Sequence, residues 1–347
     1  MRYPINGQSR PLARLLTARL WGALLRMALP LMLASTMLAL LALTPARAAW
    51  PERPVRVIVP YAPGGNTDGI ARVTAQALQE ALGQPFVVET RVGGNGIVAA
   101  EFVARAAPDG YTLFLVAQPV FSIVPAMIKA PYDPVTDFTP ISVVGTNPFV
   151  FSVHRSVPVA SLAEWLAWAR RAPAGSLNYG SGSVGSSSHL VMALLLDRTG
   201  LRAEHVPYKG GSLSLQALVS GEVPMGFNNL SEVIPFARSG ELKPLAVSSA
   251  ARARQLPTVP SVAESGYPGF DVLTWNGLVG PARLPAEVVE RAAAEIRRRM
   301  SDAAFLQRLA GLGVDPLGNT PAEFGTLIRA DRTRWAEAVR LSGAKAD

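Results

Sequence analysis

Apolar and polar positions along the chain separate short strands from amphipathic helices. Val55 to Pro60 is an apolar, β-branched run that predicts a first strand. Apolar residues then recur at helical spacing up to Gly83, which predicts a helix through Ile70, Val73, Ala77, Leu78, Ala81 and Leu82. The pattern continues with a strand at 86–89, a helix at 98–106 and a strand at 112–116. Repetition of strand, helix and buried-type strand predicts a parallel α/β sheet.

A second series of the same kind begins near residue 150. Ser161 and Glu164 have the spacing of a capping box, so a helix is expected to start there. The elements that follow are strands at 177–179, 204–208, 223–228 and 244–248 and helices at 187–198, 212–220 and 231–239. These two series predict two α/β units in tandem.

The last part of the chain is predominantly helical. A helix is predicted from Pro285 to Met300, and Thr320 to Glu323 is a second capping box, with Pro321 at the first helical position. Since these helices lack a complete sheet of their own, we expect the chain to return through 272–279 and pack its tail on the first unit. The prediction is an α/β fold of two Rossmann-like lobes with a hinge, lobe 1 comprising 49–150 and 272–347 and lobe 2 comprising 151–271. Lobes joined by a hinge close on ligands bound between them.

The first 48 residues have a different character. They contain six arginines and no acid, then an apolar run of 17 residues from Met27 to Leu43, then Ala46-Arg47-Ala48. This layout is typical of a Sec-type signal peptide, and we predict cleavage after Ala48 and a periplasmic mature protein. An uncleaved membrane anchor is the alternative, because the apolar run is only slightly shorter than a bilayer span.

Charge and composition exclude several classes of function. The formal net charge is +8, and subtracting the six N-terminal arginines leaves +2 for the rest of the chain. A nearly neutral body without a basic cluster argues against a nucleic-acid partner. The chain has no cysteine, only three histidines and no HExxH motif, so we expect no disulfide, no metal site and no cofactor.

A glycine-rich turn follows the first predicted strand, in the sequence VIVPYAPGGNTDGI of residues 57–70. In parallel α/β sheets, ligands bind beyond the carboxyl ends of the strands, where helix N-termini present free amides. Gly64 and Gly65 allow close approach of the backbone, Asn66 and Thr67 add neutral donors, and Asp68 caps the helix or bonds the amides of the turn. A capped turn without a ligand is the alternative. No Gly-Lys-Ser/Thr follows, which excludes a nucleoside-triphosphate loop.

The second candidate loop is LNYGSGSVGSSSHL, which begins at residue 177. It matches the dinucleotide fingerprint, but Glu204 stands at the beginning of its strand instead of the end, so we reject a nicotinamide site. The loop's serines include Ser181, Ser183, Ser186, Ser187 and Ser188, a dense set of donors suited to a carboxylate.

A histidine follows these serines and raises the question of hydrolysis. His189 adjoins Ser188, but the chain has no Gly-x-Ser-x-Gly elbow, and adjacent residues in a helix's first turn point to different sides. We therefore assign no catalytic residue. A local hydrogen bond or a place in a pocket wall are the interpretations left for His189.

Polar residues also stand at the carboxyl ends of other predicted strands. Gln118 follows the strand 112–116, Tyr208 and Lys209 end the strand 204–208, and Asn228 ends the strand 223–228. Lys209 has two open interpretations, an anion contact or a solvated side chain. Because these ends meet at one edge of a parallel sheet, their convergence carries more weight than any single residue.

Several stretches resemble the Bug family, the substrate-binding proteins of tripartite tricarboxylate transporters. They include WPERPVRVIVPYAPGGNTDGIAR, GQPFVVETRVGGNG, ARAAPDGYTL, LNYGSGSVGSSSHL, HVPYKGG and LPTVPSVAESGYPGF, in order from Trp50 onward. The resemblance implies a type II periplasmic binding protein that closes on a small carboxylate for a membrane permease. It also implies that the loops Tyr61 to Asp68 and Ser181 to His189 grip the carboxylate through amides and hydroxyls.

Two departures from the family pattern bear on the ligand. The family usually has Gly or Ser where this chain has Asn66, and often Asp where it has Asn228. Loss of that acid favours a dicarboxylate or aromatic carboxylate over an amino acid. The predicted ligand-binding residues are Tyr61, Gly64, Gly65, Asn66, Thr67, Asp68, Gln118, Ser181, Ser183, Ser186, Ser187, Ser188, His189, Tyr208 and Asn228. We expect a monomer; the alternatives are a ligand sensor for a membrane signalling partner and a periplasmic serine hydrolase.

Overall fold

The computed structural model of the protein describes residues 50–173 and 175–345. In these ranges the strands are β1 (Val55–Val59), β2 (Phe86–Thr90), β3 (Thr112–Ala117), β4 (Phe138–His154), β5 (Asn178–Ser181), β6 (Glu204–Pro207), β7 (Met225–Asn229), β8 (Leu242–Val247), β9 (Leu273–Pro281) and β10 (Asp315–Pro316). The predicted signal peptide and its cleavage site after Ala48 lie outside the described residues.

Helices connect most of these strands. In chain order they are α1 (Asn66–Leu82), α2 (Ile97–Ala104), α3 (Gln118–Ser122), α4 (Val124–Met127), α5 (Leu162–Arg171), α6 (Ser187–Thr199), α7 (Gly211–Ser220), α8 (Leu230–Ser239), α9 (Ala286–Arg299), α10 (Ala303–Gly311) and α11 (Pro321–Ser342). Within the part of the chain that the structure describes, no helix is both long and apolar enough to cross a membrane.

The strands form a mixed sheet in the order β2-β1-β3-β9-β4-β7-β5-β6, and β8 and β10 also pair with β4. The prediction of parallel pairing is correct for β1 with β2 and β3, and for β5 with β6 and β7. It is wrong for the middle of the sheet, where β9 runs antiparallel to β3 and β4, and β4 runs antiparallel to β7 and β8. These middle strands are β4, along which the chain leaves the first half of the sheet, and β9, along which it returns.

The longest strand, β4, has 17 residues and was not predicted. Pro140, Gly145 and Pro148 interrupt its sequence and conceal its extended conformation. Its first part pairs with β9 and its second part, from Phe149, pairs with β7 and β8. One strand therefore belongs to both halves of the sheet.

Both faces of the sheet are covered by apolar residues. Val57 and Leu113 belong to one buried cluster, whereas their neighbours Ile58 and Phe114 belong to another. Since successive side chains of a strand point to opposite faces, the two clusters lie on opposite sides of the sheet. Burial on both faces explains why these strands read as continuous apolar runs.

The final helix, α11, begins with the predicted capping box between Thr320 and Glu323 and has Pro321 at its first position. Phe324 packs in the cluster that covers β3 and β9. The second half of the helix packs elsewhere, because Trp335 lies in the cluster that contains α6. A helix of 22 residues is about 33 Å long, which allows it to contact both halves of the sheet.

Candidate functional site

A cavity of about 240 Å³ lies where the carboxyl ends of β1, β3, β5 and β7 approach the middle of β4 and the beginning of β9. Its lining combines both predicted loops with residues of the two long strands. The lining residues are Tyr61, Asn66, Thr67, Ala117, Pro119, Asn147, Phe149, Gly182, Ser186, Ser187, Ser188, Gly211, Asn229, Thr274, Trp275 and Asn276. Six residues of the predicted set therefore lie together in the cavity wall: Tyr61, Asn66, Thr67, Ser186, Ser187 and Ser188.

Four helix N-termini point their first residues at this cavity. Asn66 and Ser187 are the first residues of α1 and α6, Gly211 is the first residue of α7, and Asn229 is the N-cap of α8. At α1, α7 and α8, no side chain of the N-cap residue bonds the free amides. Helix N-termini carry partial positive charge and unpaired N–H groups, so they favour an anion.

The residues that line the cavity are uncharged. Within the described chain, its wall contains amides, hydroxyls and aromatic rings but no lysine, arginine, histidine, aspartate or glutamate side chain. An anion in this cavity would therefore be stabilised by backbone amides and neutral donors instead of by a formal positive charge.

The first loop is held in shape by Asp68, which is buried. Its Oδ2 accepts hydrogen bonds from the Gly64 amide at 3.0 Å and from Arg72 Nε at 2.9 Å. Burial would raise the pKa of Asp68, but these hydrogen bonds and the Arg72 charge outweigh burial and lower it. Asp68 therefore bonds an amide of the turn, one of its two expected roles, and is not the N-cap, which is Gly65. Gly64 and Gly65 are exposed beside the cavity and do not line it.

The second loop is tied together by its serines. Ser186 Oγ caps α6 by accepting from the His189 amide and donates to the Ser183 carbonyl at 2.8 Å. Ser188 Oγ accepts from the Gly182 amide at 3.2 Å. Ser181 is fully buried behind the loop, where its Oγ lies 2.6 Å from His205 Nε2, and Ser183 is exposed outside the cavity.

Two stacked imidazoles support this loop from the side away from the cavity. His189 is 4% exposed, its Nδ1 accepts from the Gly185 amide at 3.0 Å, and its ring stacks on His205 with centroids 3.8 Å apart. Burial, together with the neighbouring His205, lowers the pKa of His189 to about 4. Both imidazoles face a separate hollow lined also by Asp197, Arg202 and Glu204. His189 makes the local hydrogen bond that was one of its two expected roles.

Among the described residues, no serine hydroxyl that lines the cavity bonds a histidine ring. The hydroxyls of Ser186 and Ser188 bond each other and backbone groups. The serine that lies close to a histidine ring, Ser181 beside His205, is fully buried, so its hydroxyl has no access to a substrate. A nucleophile needs both a base and access to the reacting carbonyl.

Replacement of His189 by asparagine is expected to reduce the acid sensitivity of the fold. The lowered pKa of His189 means that the neutral form stabilises the folded state above about pH 6.5, and this stabilisation is lost as the pH falls toward 4. In the wild type, we expect protonation of His189 on unfolding to lower the free energy of unfolding by about 2 kcal/mol when the pH falls from 7 to 5. Asparagine keeps an acceptor for the Gly185 amide without titrating. Urea unfolding of both proteins at the two pH values measures the difference, and equal losses would contradict the assignment.

The other predicted residues lie near the cavity without lining it. Gln118 and Asn228 are buried, and oxygen atoms of both side chains have no hydrogen-bond partner among the described residues. Their sequence neighbours Ala117 and Asn229 line the cavity. Tyr208 donates its hydroxyl to Glu222 at 2.7 Å, and Lys209 is exposed.

Sequence reasoning missed the part of the wall that comes from the middle of β4 and the beginning of β9. Asn147 and Asn276 are buried there, and Asn276 Nδ2 donates to Asn147 Oδ1 at 3.4 Å. An asparagine in the middle of an apolar strand was the available signal, because a buried amide needs a partner or a ligand.

Trp275 of β9 adds an aromatic surface to the wall. Its Nε1 donates to Asp331 Oδ2 at 2.6 Å, and its ring packs edge-on against Phe324. Asp331 is 1% exposed on α11 and also accepts from Arg334. Burial raises the pKa of Asp331, although the hydrogen bond from Trp275 acts in the opposite direction. The last helix therefore fixes the orientation of a residue that lines the cavity.

The chain is similar to known proteins over most of its length. Residues 70–343 match the family described as "Tripartite tricarboxylate transporter family receptor". BugT of Bordetella pertussis is 34% identical over 298 residues, covering 85% of this chain and 91% of BugT. An R. palustris protein solved with adipate has a TM-score of 0.73 and 34% identity, covering 85% of this chain and 99% of that protein. MatC from Rhodopseudomonas palustris, solved with bound malate, has a TM-score of 0.69 and 31% identity, covering 84% and 100%.

Proposed function

This chain belongs to the tripartite tricarboxylate transporter receptor family, and from that premise we propose that it binds a small organic carboxylate in the cavity described above. The fold is the α/β fold of type II periplasmic binding proteins, as predicted. We propose further that the protein acts in the periplasm, without catalysis, and delivers its ligand to a membrane permease. The arginine-rich and apolar first 48 residues support export.

The convergence of four helix N-termini on one uncharged cavity is the observation that carries this proposal. At α1 and α7 the N-cap is a glycine without a capping side chain, so the amides of these first turns are available to a carboxylate. The hydroxyls of Thr67 and Ser187 add donors from opposite loops. A volume of about 240 Å³ lies below the range of roughly 300–1,000 Å³ typical of drug-sized ligands, which fits a small acid.

Adipate and malate in the related structures are small dicarboxylates, and their size agrees with this cavity. For this protein, adipate and malate serve as probes in the binding experiments. The proposed ligand of this chain is a carboxylate of similar length.

We propose that lobe closure accompanies binding. Lobe 1 would comprise 49–150 and 272–347 and lobe 2 would comprise 151–271, with β4 and β9 as the connections. Both strands contribute residues to the cavity wall at the point where their pairing partners change. A ligand there would contact both halves and stabilise the closed arrangement.

Removal of one donor from each loop is expected to weaken binding without loss of stability. Thr67→Ala and Ser187→Ala should each cost about 1.5 kcal/mol of binding free energy, or about tenfold in affinity, because each removes a hydrogen bond to a charged group. Calorimetric titration with a panel of organic acids that includes adipate and malate measures the change. The melting temperature of the free protein should stay the same.

Ser301→Ala is the matched control, since Ser301 is exposed at the end of α9 and its hydroxyl bonds only the Arg298 carbonyl among the described residues. Wild-type affinity in both Thr67→Ala and Ser187→Ala would show that the carboxylate binds elsewhere. Tighter binding of amino acids than of dicarboxylates would contradict the preference that the loss of an acid at Asn228 suggests by itself, and it would leave the carboxylate site in this cavity intact.

A further inference from the structure

One ionisable side chain that was not predicted lies directly behind the cavity wall. Glu232 is the third residue of α8, and its Oε2 is buried without a hydrogen-bond partner. Burial raises the pKa of Glu232, while hydrogen bonds from Asn229 act in the opposite direction. Among the described residues it takes part in no ion pair, in contrast to Asp68, which is paired with Arg72.

Gly211, which lines the cavity, lies next to this carboxyl group. A Cβ atom built at Gly211 would lie 3.8 Å from Glu232 Oε2. Gly211 itself lines the cavity, as does Asn229, the N-cap of the helix that carries Glu232. Because residue 211 is a glycine, no side chain at this position lies between the buried carboxylate and the cavity.

The position of Glu232 makes the electrostatic potential differ between the two ends of the cavity. The N-termini of α1 and α6 carry Asn66, Thr67, Ser186 and Ser187, which are neutral donors. On the α7 and α8 side, an ionised Glu232 would offset the partial positive charge of the two helix N-termini. A carboxylate is therefore stabilised more at the α1 and α6 end than at the α7 and α8 end.

We propose that Glu232 is a specificity-determining residue that selects carboxylates bearing a hydrogen-bond donor at their far end. The ligand's carboxylate would lie at the N-termini of α1 and α6, and a hydroxyl or ammonium group would point toward Gly211. A second ionised carboxylate at that end would be repelled. This inference rests on the proposed function, and it reverses the preference for a dicarboxylate that the loss of an acid at Asn228 suggests by itself.

Ligand affinity for three acids of equal length tests the inference. The probes are adipate, 6-hydroxyhexanoate and 6-aminohexanoate, with succinate, 4-hydroxybutyrate and 4-aminobutyrate as a shorter set. At pH 7.5 the wild type should bind the amino and hydroxy acids more tightly than the diacid of the same length. In Glu232→Gln, affinity for the diacid should rise about tenfold and affinity for the amino acid should fall about tenfold, because an ionic interaction at a partly buried site is lost.

Glu290→Gln is the control, since Glu290 is exposed on α9 and its loss changes the net charge by the same amount. Glu232→Asp keeps the charge but withdraws it from Gly211, so its shift should have the same direction and a smaller size. Circular dichroism and a thermal melt confirm that the variants fold.

The outcomes separate this inference from the function on which it rests. If the acids bind but Glu232→Gln leaves the ratio of diacid to amino-acid affinity unchanged, Glu232 does not determine specificity. A wild type that prefers the diacid also overturns the inference. If no acid of either length binds to the wild type, the proposed function itself fails and the inference fails with it.

Discussion

An aspartate in place of Ser187 is expected to lower carboxylate affinity by at least about 100-fold while leaving the protein as stable as before. Ser187 is the first residue of α6 and lines the cavity. A negative charge at a helix N-terminus stabilises the helix by about 0.3–1 kcal/mol. The same charge would occupy the region proposed for the ligand's carboxylate and repel it at short range. Calorimetry with the acid panel and a thermal melt measure the two effects separately.

Ser187→Asn is the matched control for this substitution. Asparagine has nearly the same shape as aspartate and no charge, so it should cost no more than about tenfold in affinity by loss of the hydroxyl and crowding. A stable Ser187→Asp protein that binds acids as the wild type does would place the ligand outside this cavity. A large loss of stability would instead contradict the placement of Ser187 as a half-buried residue at the N-terminus of α6.

The sequence predicted the strands and helices best where the hydrophobic pattern is local. The predicted strand at 204–208 and helix at 187–198 differ from β6 and α6 by one residue. Helix α1 starts at Asn66, before the first apolar residue of the predicted stripe at Ile70, because polar residues form its first turn. The local hydrophobic pattern could not predict that β9 runs antiparallel to its neighbours. Strand pairing depends on contacts between residues far apart in sequence.

Residues of the candidate cavity were predictable only where an unusual local composition marks a binding loop. Glycines and hydroxyls in two loops identified Thr67 and Ser187, which line the cavity. The burial of His189 behind its loop depends on its stacking with His205, sixteen residues later. Glu232 gave no local signal, since its importance arises from Gly211 on a neighbouring helix. In each case the deciding partner is distant in sequence.

The hydrogen bond between Trp275 and Asp331 connects the cavity wall to α11, and this connection has a measurable consequence. Asp331 is buried in the middle of that helix, and the indole it holds lines the cavity. Trp275 Nε1 would be left as a buried donor if Asp331 were made apolar, and such a donor costs about 1–3 kcal/mol. Any movement of the indole in response would change the surface offered to a ligand.

Replacement of Asp331 by leucine is therefore expected to lower the free energy of unfolding by about 2–3 kcal/mol and to weaken carboxylate binding about threefold. Asp331→Asn keeps an oxygen acceptor for the indole and should cost only about 1 kcal/mol, with wild-type affinity. Urea unfolding gives the stabilities, and titration of the folded variants with the acid panel gives the affinities. If leucine lowers stability but the variant binds acids like the wild type, Asp331 supports the fold without positioning Trp275. If Asp331→Leu and Asp331→Asn lower the free energy of unfolding equally, the hydrogen bond from Trp275 does not explain how Asp331 stabilises the fold, because only asparagine retains an acceptor.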